Sequence, residues 1–188
     1  MSNGSYQSIY KIRELCQKHL SEIVEVDIYE YASCYLWYDR PLYNSFGEEI
    51  RHLRGDTIYL YERSSTPDTD LFHELGHMIG RRKNLVGHAE NGFQGSWERE
   101  NGKLVAQISD RRHWSSYLNL FSLTHDNFRI NAASEVWAEV FMLWHLQPAL
   151  PEARLLDSAM AKLGREPECI AIQNLASEIQ LHNVPHLD

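Results

Sequence analysis

Apolar residues in the first twenty positions recur at helical spacing. In SYQSIYKIRELCQKHL (5–20), Ile9, Ile12, Leu15, Cys16 and Leu20 fall on one face, which predicts an amphipathic opening helix. The period then changes. EIVEVDIYEY (22–31) alternates and is β-branched, so it reads as a strand, with SCYLWYDR (33–40) as its partner and PLYNSFGEE (41–49) as a turn. Thr57–Glu62 reads as a further strand. SSTPDTD (64–70) is a loop whose Asp68, Thr69 or Asp70 would cap the next helix. That helix carries DLFHELGHMIGRR (70–82), with Gly80 near its end and Arg81, Arg82 and Lys83 suited to the negative end of the helix dipole.

From about 84 to 127 the chain is polar and irregular, apart from a hairpin signal at Asn101-Gly102 within SWERENGKLVAQIS. NAASEVWAEVFMLWHL (131–146) then predicts a strong helix, closed by Gln147-Pro148, with further helices near 151–163 and 166–182. Mixed strands followed by helices predict an α+β fold. A length of 188 residues fits one domain, and residues 81–127 form a long insertion of the kind that makes lids or binding loops.

Composition narrows the function classes. The formal charge is −8, so there is no basic footprint for nucleic acid or an anionic membrane. The three cysteines, Cys16, Cys34 and Cys169, are widely spaced, which argues against a disulfide framework or a CxxC metal site. MSNGSYQSIYKIREL holds no apolar run of signal-peptide type, and nothing approaches the ~20 apolar residues of a membrane span. The expectation is synthesis in the cytosol, with export open only by a route that needs no cleaved signal.

The candidate chemistry lies in HELGH. His73 and His77 stand one helical turn apart on the same face, so both imidazoles can reach one ion. Glu74 is offset by one position, free to act on a water rather than bind the metal. Zinc suits such a site, because it takes nitrogen and oxygen ligands and keeps a position open for water. With ten histidines in the chain, the pattern would arise by chance in about one such sequence in twenty, so the motif needs support. Gly76 adds some. A mid-helix glycine costs roughly 1 kcal/mol relative to alanine, and close approach of another backbone would explain it.

A third ligand decides the matter. The metzincin continuation H-x-x-G-x-x-H fails: Gly80 fits, but position 83 is Lys. His88, in the polar loop, is one candidate. Glu135 is the better one. With Glu139 it forms a Glu-x-x-x-Glu pair on a nearly apolar helix, where buried carboxylates require a charge or hydrogen-bond partner.

HELGH followed downstream by E-x-x-x-E on an apolar helix resembles the gluzincin zinc metallopeptidases. SEVWAEVFMLW is most similar to the protease domain of anthrax lethal factor and to the Pro-Pro endopeptidases. The similarity covers Thr57–Gly80 and Asn131–His145, about a fifth of the chain. The resemblance implies a zincin-like fold and a zinc-dependent endopeptidase with a peptide or protein substrate. His73, His77 and Glu135 would hold one zinc, Glu74 would be the general base, and Glu139 would orient a ligand histidine. Thr57, Ile58, Tyr59, Leu60 and Tyr61 would form an edge strand above the zinc, along which substrate pairs by strand addition. There is one departure. The group carries an oxyanion-stabilising tyrosine seven residues before the glutamate ligand, and here that position is Phe128, which has no donor. Tyr117, His113 and His125 are the nearby substitutes. The missing tyrosine also motivates the alternative of an inactive zincin-fold module that binds peptide or protein. By analogy alone, the lethal factor resemblance points to a bacterial effector or toxin.

Overall fold

The computed structural model describes residues 4–36, 40–43, 46–53, 56–83 and 128–182. In chain order the elements are α1 (Gly4–Leu20), β1 (Glu25–Tyr29), β2 (Cys34–Leu36), β3 (Arg40–Tyr43), β4 (Glu49–Leu53), β5 (Thr57–Tyr61), α2 (Pro67–Arg82) and α3 (Phe128–Leu146). A 3-10 turn (Ala153–Leu156), α4 (Asp157–Leu163) and α5 (Pro167–His182) follow. This is a mixed α+β chain, as expected. Among the described residues no helix is long and apolar enough to cross a membrane. Two units are distinguishable, Met1–Glu74 with Ile170–Asp188, and Leu75–Cys169.

In the first unit, the predicted face of α1 is the buried one: Ile9, Ile12, Leu15, Cys16 and Leu20 are all in the core. Burial pushes the Cys16 thiol up to about 12, so it serves as a small apolar side chain and not as a nucleophile. At the end of α1, Lys18 and His19 both reach the Glu178 carboxylate of α5, at 2.8 and 2.6 Å.

The sheet of this unit corrects one expectation. Its order is β1-β5-β2, so β5 is central and not an edge. On one side it pairs in parallel with β1, from Glu25 opposite Thr57 to Tyr29 opposite Tyr61. On the other it pairs antiparallel with β2, from Cys34 opposite Tyr59 to Leu36 opposite Thr57. Thr57, Ile58, Tyr59 and Leu60 are buried and Tyr61 is partly so. With a ladder to β1 along its length and one to β2 over Thr57–Tyr59, β5 is not an open edge for strand addition. The residues at 34–36 accordingly partner β5 rather than β1. The stretch read as a turn at 41–49 is shorter than expected. Its first residues belong to β3, which pairs with β4 in a separate hairpin, and Gly47 supplies the left-handed turn backbone at φ +78°.

Helix α2 starts earlier than its acidic residues suggested. Pro67 occupies the first turn, where its missing N–H costs nothing. The first helical bond runs from the Asp70 N–H to the Thr66 carbonyl, so Thr66 takes the capping position. Asp68 and Asp70 therefore lie inside the first turn, where carboxylates suit the dipole. Asp70 does something more specific. It accepts the Ser33 hydroxyl at 2.8 Å, while Ser33 accepts the Tyr61 N–H at 2.9 Å, which ties the helix start to the end of β5.

The second unit is built on α3, and it is apolar around most of its circumference. Val136, Trp137, Ala138, Val140, Phe141, Met142 and Leu143 are all buried. The helix begins at Phe128, three residues earlier than the apolar pattern placed it, and stops before Gln147-Pro148 as expected. Arg82 and Lys83 reach Glu168, at 3.0 and 3.3 Å, joining the end of α2 to the start of α5. Lys83, which stands where the metzincin pattern requires histidine, is thus committed to an ion pair.

His145, near the end of α3, lies buried between the rings of Phe141 and Trp144, with centroids 4.6 and 4.9 Å away. Burial lowers its pKa to about 3. The unfolded chain protonates this imidazole near 6.5, and the folded chain does not until about 3. Stability from His145 is therefore complete above pH ~6.5 and is lost as pH falls, by ~1.4 kcal/mol per pH unit at most. Thermal melting between pH 7 and 4 is expected to fall more steeply for the wild type than for His145→Phe, with the two curves diverging below pH ~6.5.

Candidate metal centre

Helix α2 is continuous across the boundary between the two units, so its own 3.6-residue period places His73 and His77 on one face. Its second half meets α3 at Gly76. A Cβ at this position would lie 2.8 Å from the Ala138 Cα and 3.1 Å from both the Ala138 carbonyl oxygen and the Phe141 Cβ. The glycine is there because α3's backbone occupies the space a side chain would need, as the sequence suggested. The Trp137 indole N–H donates to the Gly76 carbonyl at 2.8 Å, which locks the crossing. Residues 76–77 are thereby held against residues 134–138.

Gly76→Ala is expected to destabilise the protein despite its better helix propensity. The propensity gain is about 1 kcal/mol. The clash is with main-chain atoms that cannot rotate away, and overpacking of this kind costs ~1–3 kcal/mol. A urea melt should show a lower midpoint for Gly76→Ala and a far lower one for Gly76→Val.

This packing brings together the residues singled out from sequence. Among the described residues, His73, His77 and Glu135 offer two ring nitrogens and a carboxylate oxygen that all lie within 4.8 Å of one another. The His77 Nε2 is 3.5 Å from the Glu135 Oε2. A charge-assisted hydrogen bond between imidazole and carboxylate would be ~2.8 Å. Two ligands at 2.0–2.1 Å on a tetrahedral zinc stand ~3.3 Å apart. The 3.5 Å separation fits two neighbouring ligands and a loose ion pair alike, and the three donors together could hold a metal ion. The donor set, two imidazoles and one carboxylate, suits zinc and not the all-oxygen preference of calcium or magnesium.

Glu74 and Glu139 are not members of this donor cluster. Glu74 is 9% exposed, Glu139 is 3% exposed, and both are buried on the helices that carry the ligands. A residue that sequence reasoning missed also belongs here. The His77 Nδ1 lies 3.0 Å from the Ser134 hydroxyl oxygen, and Ser134 is only 1% exposed. The available signal was a single hydroxyl, directly before Glu135, in a helix that is apolar around most of its circumference.

His88, Tyr117, His113, His125 and the hairpin at Asn101-Gly102 lie outside the described residues, as does most of the proposed lid. Phe128 opens α3. No protein-family model matches the chain, and neither does a curated protein or a solved structure.

Proposed function

We propose that this chain is a zinc-dependent endopeptidase of gluzincin type on a zincin-like fold. One observation carries the reading: the two histidines of HELGH and a glutamate 58 positions after the second converge on one donor cluster. His73, His77 and Glu135 would hold the metal. When bound, zinc polarises a substrate carbonyl and lowers the pKa of a water to about 7.

The remaining steps belong to this chain's own residues. Glu74 takes the proton of the attacking water as its oxygen bonds to the carbonyl carbon. The C–N bond then breaks, and Glu74 passes the proton to the departing nitrogen. A low-exposure site suits this role, because exclusion of water strengthens the electrostatics of the transfer. Glu139 would orient one ligand histidine. Substrate pairing by strand addition would use an outer strand such as β1 or β2, since β5 lies between them.

The test is a peptide library incubated with the purified protein. Cleavage that stops with a chelator and returns with zinc is the expected result. Stoichiometric zinc without cleavage of any peptide would favour the inactive binding module.

A further inference from the structure

We infer that Ser134 is a positioning residue of the metal centre: through the His77 Nδ1 it holds the ring so that Nε2 faces Glu135. The inference rests on the metal reading proposed above. The geometry places the ring between two fixed groups. One nitrogen is 3.0 Å from the Ser134 Oγ, and the other is 3.5 Å from the Glu135 Oε2. Ser134 and Glu135 are consecutive on α3, and that helix is pinned to α2 by the Gly76 contact and the Trp137 bond. Both ends of the imidazole are therefore referenced to one rigid element.

The chemistry of a hydroxyl fits the position. A neutral imidazole carries its proton on one nitrogen only. When Nε2 gives its lone pair to a metal, Nδ1 must carry the hydrogen and needs an acceptor. In this site, at 8% exposure for His77, water is a poor substitute for one. A serine hydroxyl both donates and accepts, so it keeps its bond to Nδ1 with either tautomer. A carboxylate can only accept, and would fix the proton on Nδ1 at all times. Ser134 thus orients the ring without dictating the proton's place before the metal arrives. The sequence reading assigned ligand orientation to Glu139; for His77 the hydroxyl performs it.

The test compares wild type with Ser134→Ala, Ser134→Thr and Ser134→Val, with Glu135→Ala in parallel. Zinc affinity is read by competition with a chromophoric chelator, and folding by thermal melting of the metal-free proteins. Thr and Val have the same shape, so their difference isolates the hydroxyl whatever the added methyl does to packing. The expected result is zinc binding 10–100-fold weaker in Ala and Val than in wild type and Thr, beyond any change in melting. The zinc-loaded wild type should also show a slowly exchanging His77 Nδ1–H proton by NMR, lost in Val and kept in Thr. Equal affinity in Thr and Val, with zinc lost in Glu135→Ala, would overturn the role of Ser134 and leave the metal centre standing. No zinc in the wild type would overturn the metal centre itself, and this inference with it.

Discussion

On the proposed mechanism, Glu74→Gln is expected to bind zinc like the wild type and to lose hydrolysis by a factor of ~10²–10⁴, the usual contribution of a positioned general base. The substitution is nearly isosteric, and Gln matches Glu in helix propensity, so α2 should form normally. Glu74 lies outside the cluster of metal donors, which is why occupancy should not change. What the amide lacks is the ability to take a proton from water. The check is a cleavage rate and a zinc determination on the same samples. Zinc-dependent cleavage at wild-type rate in Glu74→Gln would contradict the mechanism, and loss of zinc in the variant would mean that Glu74 is a ligand.

The parts of this site that were legible in sequence are those set by local periodicity. His73 and His77 share a face because of helix geometry, and no tertiary information is needed to see it. Gly76 was readable as a contact point because a glycine in mid-helix carries a cost, and the backbone of Ala138 supplies its reason. Glu135 and Glu139 stood out because carboxylates on so apolar a helix require an account. Central or edge placement is different in kind. TIYLY is a good strand by composition, but only its ladders with β1 and β2 make it central, and those are made by residues 25–36. The burial of four consecutive β5 residues shows that both faces of the strand are covered, which is a separate matter from whether its edges are paired. Ser134 was invisible for a related reason. A serine is chemically ordinary, and only the packing of α3 on α2 shows which nitrogen it meets.

Glu135→Ala is expected to have the larger effect on the metal. Loss of a supporting partner costs 10–100-fold in affinity, so loss of a ligand should cost at least about 100-fold. The variant leaves two histidines on one helix turn, with the position 3.5 Å from the His77 Nε2 open to water. Glu135 is partly exposed, two turns into a well-packed helix, so its truncation creates little cavity, and α3 should keep its place. The change in metal binding is thereby separable from a change in folding, which a melt of the metal-free protein can verify.

The most direct test of the metal centre is elemental mass spectrometry on purified wild type and Glu135→Ala, each supplied with zinc and then desalted. The expected result is about one zinc per chain in the wild type, as three protein ligands would hold, and little in the variant. Zinc retained equally in both would show that Glu135 is not the third ligand. A wild type that takes up no zinc would show that HELGH is a histidine-bearing helix and nothing more.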